Sequence, residues 1–223
     1  MTIIQATNFS QIRLSSMDKY YQIGIDKNLL DITFASQENT MYCWAACIAN
    51  TLRLKNIIVD QLDFAVQNCG VDTYGNPLNC GATPNEINYF LNGCGRDNNG
   101  IKYCINAKQR TGNLNTEEVV KQLKAGNSVI VAYLIPGQQT GHVVLITGAS
   151  IRIDWRTQKE YVSQWIVRDP WPSPFNRLTK GRRTIQISEL FKTAYAWWTP
   201  KISVTQPVQI HGNRVYPART RVL

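Results

Sequence analysis

Two apolar runs, Ser128–Ile135 and His142–Gly148, constrain this chain more than any other feature. Both are dense in Val, Ile and Leu, and their β-branched side chains suit a pleated strand better than a helix. Only the turn Pro136–Gly141 separates them. Ile151–Asp154 and Tyr161–Arg168 follow, flanking a polar turn at Trp155–Glu160. Thr184–Ile187 and Ala194–Thr199 read as two more strands, with a short helix starting at Ser188 between them. Strands joined by such short turns can pair only antiparallel, because a parallel crossover needs a dozen residues or more.

The first half reads differently. Residues 1–36 form an irregular arm with short strand-like pieces at Tyr20–Ile25 and Leu30–Phe34. An apolar helix begins near Cys43 and runs past Leu52, and Val59–Asn68 gives a second ending near Gly70. Thr83-Pro84-Asn85-Glu86 is a capping box with Pro at the first helical position. Asn115-Thr116-Glu117-Glu118 opens another helix, closed by Lys121, Lys124 and Gly126. Residues 70–83 are a loop rich in Gly, Asn, Asp and Pro, and Asn92–Asn113 is polar and Gly-rich. The pattern predicts a single α+β domain over 1–223. An arm (1–36) precedes a helical lobe (37–126), an antiparallel sheet lobe (127–200) and a basic tail (201–223).

With 24 Lys+Arg against 15 Asp+Glu, the net charge is +9. No basic stripe interleaved with aromatics accompanies that excess, so no nucleic-acid partner is expected. The longest apolar runs fall far short of the ~18 residues of a membrane helix, so no membrane partner is expected either. No signal peptide is recognisable at the N-terminus. The expectation is a monomer, cytoplasmic as made, with export as a bacterial effector the alternative.

Gln37 stands six residues before Cys43, and Trp44-Ala45-Ala46-Cys47 follow it. Thr40 is placed to cap the helix, with Cys43 in its first turn. There the outward-pointing N–H groups favour a thiolate, the form in which cysteine is a nucleophile. The Gln37 amide is near enough to donate to an oxyanion beside the sulfur. Taken alone, a cysteine in an apolar helix is more often core.

The chain holds two histidines. His211 lies in the polar tail, whereas His142 heads a core strand directly after Gly141, which leaves room for a substrate backbone. If the strands pair across the turn near Asp154–Gln158, His142 and Asp169 fall at the same end. Paired strands lie about 5 Å apart, so a His–Asp hydrogen bond is within reach.

Cys43, His142, Asp169 and Gln37, in the order Gln…Cys…His…Asp, resemble the papain-like cysteine peptidases. The matching pieces are the Gln37–Cys43 spacing, Cys43-Trp44-Ala45, Gly141-His142 and Asp169-Pro170-Trp171. The Asp replaces the Asn of papain itself. Cys-Trp-Ala-Ala, His-Val-Val-Leu and Arg-Asp-Pro-Trp look closer to bacterial branches. These are the staphopain-like enzymes, the papain-like type III effector proteases and the double-glycine leader peptidases. The resemblance implies a papain-like fold and an endopeptidase acting on a protein or peptide, without cofactor. Cys43 would be the nucleophile, His142 the base, Asp169 its orienting partner and Gln37 an oxyanion donor. Trp44, Gly141 and Trp171 would contact substrate, with Trp171 covering the His–Asp pair. The same constellation would serve an acyltransferase, transglutaminase or deamidase, and a non-catalytic binding module is the third reading. Of the other cysteines, Cys47 is expected in the core. Cys69–Cys80 and Cys94–Cys104 can bridge in an oxidising compartment, although the missing signal peptide argues against it. No Cys-x-x-Cys pair occurs, so no metal site is expected.

Overall fold

The computed structural model describes residues 18–135, 137–138 and 140–205, plus the short strands 210–211, 214–215 and 220–222. Residues 1–17 of the expected arm and 206–209, 212–213, 216–219 and 223 of the expected tail thus lie outside the described residues.

The described part of the chain begins with β1 (Lys19–Gly24) and a short helix α1 (Lys27–Thr33), where a strand-like piece is expected. Asp26 decides for the helix by accepting the Leu29 N–H as an N-cap. Then come α2 (Cys43–Arg53), α3 (Gln61–Cys69) and α4 (Pro84–Phe90). The last carries the full capping box between Thr83 and Glu86. β2 (Cys94–Arg96) and β3 (Lys102–Thr111) occupy the stretch read as polar and Gly-rich. Next are α5 (Thr116–Lys124), β4 (Val129–Leu134), β5 (Gly141–Ile153) and β6 (Glu160–Arg168). The chain continues through α6 (Pro174–Thr179), β7 (Arg182–Gln186), α7 (Ile187–Thr193) and β8 (Ala194–Thr205).

The main sheet has the order β2-β3-β8-β4-β5-β6-β7, with β1 added beside β5. Every described pairing is antiparallel. Helices cover both faces. Against one face, Cys47, Ile48 and Leu52 of α2 pack on Ile130, Ala132, Val143, Leu145 and Trp198. Against the other, Val119 and Leu123 of α5 and Leu190 of α7 pack on Val129, Val131, Val144, Ile146 and Val167. That explains the unbroken apolar runs of β4 and β5. Successive side chains point to opposite faces, and here both faces are buried.

The sheet therefore does not stop at residue 126. β3 lies N-terminal to that boundary and pairs with β8 over ten residues, Lys102–Thr111. Its polar residues mislead: Lys102, Asn106 and Lys108 point outward, while Tyr103, Ile105 and Ala107 are buried. Cys94 and Cys104 stand opposite each other across β2–β3 and are bridged. A second bridge joins Cys69, at the end of α3, to Cys80. Both pairs proposed from sequence are thus formed, despite the argument against them.

Candidate active site

The start of α2, the start of β5 and the loop after β6 meet at one end of the sheet. They line a cavity of about 860 Å³, to which Cys43, His142 and Asp169 all contribute. Cys43 is the first residue of α2 and 9% exposed. Its N–H is one of those a helix start leaves without an internal partner. Tyr42, not Thr40, is the N-cap residue, and it makes no side-chain cap bond. The Thr40 hydroxyl accepts instead from Asn79 Nδ2 at 2.8 Å. No side-chain cap bond thus covers the helix start, whose first N–H groups have no partner within the helix.

His142 and Asp169 come together as the hairpin count requires. β5 and β6 pair with Leu145 opposite Arg168, so both residues lie just beyond the last paired rung. Their contact, Nε2 to Oδ1, is 2.8 Å. The carboxylate can only accept, so Nε2 carries the proton and Nδ1 is left for the cavity. Burial works against the charged form of His142 and is its largest single influence. The hydrogen bonds to Asp169 and to the Cys43 side chain, with the negative charge of both, outweigh it and push His142 up to about 9. Asp169 is likewise opposed by burial. His142, the Trp171 N–H and Arg183 together hold it below the ordinary carboxylate range.

The loop carrying Asp169 is fixed from several sides. Its Oδ1 also accepts the Trp171 N–H at 3.0 Å. The Asp169 N–H donates to Gly181 O at 2.8 Å, and the Gly181 N–H donates to Asn176 O. Gly181 has φ +69, and a Cβ there would lie 2.4 Å from Asp169 O, so no other residue fits. The Gln37 N–H donates to Pro170 O at 2.8 Å, tying the segment before the nucleophile to the segment after the acid.

Of the expected site residues Gln37 alone is absent from the cavity lining, while Trp44, Gly141 and Trp171 all belong to it. Gln37 is buried and is not among the cavity-lining residues. Its Nε2 donates to Asn39 O at 2.8 Å and Thr40 O at 3.0 Å, so both amide hydrogens are spent holding its own loop. Trp44 touches the cavity but is only 1% exposed. It packs on Phe90 and donates to Cys80 O at 3.3 Å, fixing the disulfide-tied cavity wall. Gly141 does not leave open space, because a Cβ there would fall 2.2 Å from the Tyr195 hydroxyl. Trp171, 44% exposed, does line the cavity.

Among the cavity residues that escape the sequence reading are Tyr133, Arg183 and Tyr195. Tyr195 is the extra residue of a β-bulge, since Ala132 pairs with Ala196 and Tyr133 with Ala194. Bulges re-aim side chains in this way. Only the register of β8 against β4 shows it. Gly141→Ala should therefore displace the Tyr195 ring and lower catalytic turnover roughly tenfold, since a displacement of ~1 Å can cost up to ~100-fold. Adding Tyr195→Phe removes the 2.2 Å overlap and should restore part of the loss. Turnover rates of the two variants check this, and equal rates would exclude the steric explanation.

Among the described residues, no group of three or more His, Cys, Asp or Glu could hold a metal ion. No described helix is long and apolar enough to cross a membrane.

The model of the Peptidase_C39 like family matches residues 29–197. No curated protein matches the chain. Among solved structures, the chain is similar to a double-glycine motif protease from an AMS/PCAT transporter, solved in complex with the leader peptide. The TM-score is 0.41 at 15% identity, covering 75% of this chain and 90% of that one.

Proposed function

Because the chain belongs to the Peptidase_C39 like family, we propose that it is a cysteine endopeptidase using Cys43 as nucleophile, His142 as general base and Asp169 as the base's orienting partner. The observation that carries this is the 2.8 Å His142–Asp169 bond beside a cysteine at a helix start, within one cavity. His142 takes the Cys43 proton, giving a thiolate–imidazolium pair. The sulfur attacks the scissile carbonyl, and a new S–C bond forms. As the tetrahedral intermediate collapses, the C–N bond breaks and the imidazolium gives its proton to the leaving amine. Water, deprotonated by His142, then hydrolyses the thioester and frees the thiol.

The oxyanion is stabilised first by the Cys43 N–H and the partial positive charge of the α2 start. Gln37 can serve as the second donor once its Nε2 releases the Thr40 carbonyl, and Thr40 itself lines the cavity. The peptide lies against apolar walls that include Met41, Ala82, Ile135 and Phe175.

The test is labelling with a thiol-directed epoxide and peptide mapping, followed by mass spectrometry of a treated peptide library. Modification of Cys43 together with paired fragments supports an endopeptidase. A mass change without cleavage points to a deamidase, and cross-linked products point to a transglutaminase. An untouched Cys43 with an intact library rules the peptidase out.

The alkaline limb of activity follows from His142, whose folded-state value is raised from 6.5 to about 9. Its imidazolium stabilises the fold fully below 6.5, and that contribution disappears as pH rises through about 9. Turnover should fall across the same upper limit, because above it the pair loses its positive member. A pH–rate profile checks this, and a decline already complete at pH 7 would contradict it.

A further inference from the structure

The His142–Asp169 pair does not end at Asp169. While Oδ1 faces His142 and Trp171, the other oxygen, Oδ2, lies 3.0 Å from Arg183 Nε. Nη2 of Arg183 donates to the Tyr133 hydroxyl. The Tyr133 ring stands edge-on to His142 with centroids 5.8 Å apart, and the two residues face each other across β4–β5. The contacts thus close a ring: His142, Asp169, Arg183, Tyr133 and back to His142. Four segments contribute, namely β5, the loop after β6, β7 and β4. Tyr133 is 2% exposed, so its hydroxyl has little access to water and its bond to Arg183 matters.

Resting on the catalytic roles proposed above, we propose that Arg183 is a positioning residue. It holds the second carboxylate oxygen of Asp169 and fixes the plane in which that carboxylate meets His142, and Tyr133 anchors it. A carboxylate held by one hydrogen bond can swing about its χ angles. The ion pair at Oδ2, added to the hydrogen bonds that Oδ1 accepts from His142 and the Trp171 N–H, restricts that swing. Arginine is suited to this because its planar fork reaches the carboxylate with one nitrogen and the phenol with another. The guanidinium also adds a fixed positive charge that favours the Cys43 thiolate and disfavours the proton on His142. The charged and titratable groups around it are Asp169, His142, Cys43, Tyr133, Tyr195 and, from α7, Glu189, all on the same cavity.

The test is the pH dependence of Cys43 alkylation by iodoacetamide, which needs no substrate. A thiolate–imidazolium pair gives two inflections, an acidic one where the pair forms and an alkaline one where the imidazolium deprotonates. In Arg183→Met both should move to higher pH by about half a unit or more, since a neighbouring charge is lost. Arg183→Lys keeps the charge and should leave both near the wild-type positions. Unmoved inflections in folded Arg183→Met overturn the proposal. So does an Arg183→Lys profile displaced as far as that of Arg183→Met. If Arg183→Met fails to fold, Tyr133→Phe carries the test. It frees the anchor of Arg183 and should give a smaller shift in the same direction, and no shift overturns the proposal. A wild-type profile of an ordinary thiol would instead defeat the catalytic roles of Cys43 and His142, and this inference with them. A normal wild-type profile with unresponsive Arg183 variants defeats this inference alone.

Discussion

Replacing Cys43 with alanine should reduce peptide hydrolysis by a factor on the order of 10⁵–10⁶, because nucleophile and base act as a unit and little survives the loss of either. Cys43→Ser should be nearly as inactive. His142 is tuned to stabilise a thiolate beside it, and a serine hydroxyl holds its proton far more tightly. Neither change should unfold the protein. The sulfur sits at the cavity edge, 9% exposed, at the first position of α2, so the cost of removing it is about 1 kcal/mol or less. Cys47 cannot substitute. It lies one turn on, fully buried, with its thiol donating to Val143 O at 3.5 Å. Burial, with the negative charges of Cys43 and Asp169, holds its proton on well above the usual thiol range. Parallel measurements of turnover and thermal unfolding check the prediction. Residual activity within tenfold of wild type would remove Cys43 from the nucleophile's role.

His142→Ala should be as damaging as Cys43→Ala, and Asp169→Ala less so. The ordering follows from what each group does. Without His142 no imidazole stands beside Cys43 to take its proton and return it, so both attack and leaving-group protonation are lost. Without Asp169 the imidazole is still present but free to turn or change tautomer. Asp169→Ala also leaves Arg183 with an unpaired charge where Oδ2 stood, 3.0 Å away. Asp169→Asn should be gentler. Its amide oxygen can still accept from His142 and from the Trp171 N–H, although its NH₂ then faces the Arg183 donors. The measured ranking of kcat/KM should read wild type, Asn, Ala at position 169, then Ala at position 142. Cys43 should remain open to alkylation in both position-169 variants. His211→Ala should leave turnover nearly intact. An inactive His211→Ala beside an active His142→Ala would reassign the base.

Much of this was legible because it depends on near neighbours in sequence. The capping box of α4 is four adjacent residues, and its hydrogen bonds form as those residues require. The His142–Asp169 approach follows from one hairpin, whose period and turn length can be counted along the chain. α1 has no signature in Leu30–Phe34 itself, which alternates apolar and polar residues as a strand does, while the Asp26 cap that starts the helix lies outside that run. β3 does not show as a strand in the sequence because six of its ten residues are polar, and its alternating burial appears only once β8 lies beside it.

The meeting of His142 and Asp169 was thus legible in the sequence, since hairpin length and strand period bring them to one end of the sheet, and the resemblance to papain-like peptidases put Cys43 beside them. What surrounds them was decided only by tertiary structure. Gln37 turns its amide to its own loop because Asn39 and Thr40 fold their carbonyls back onto it. Tyr195 fills the space over Gly141 because β8 bulges against β4. Arg183 meets Asp169 because β7 pairs with β6 and brings the Lys180–Arg183 turn beneath the acid. Each of these contacts joins residues whose relation is set by strand register or loop closure. That relation is a property of the packed sheet and has no signature in the residues taken one at a time.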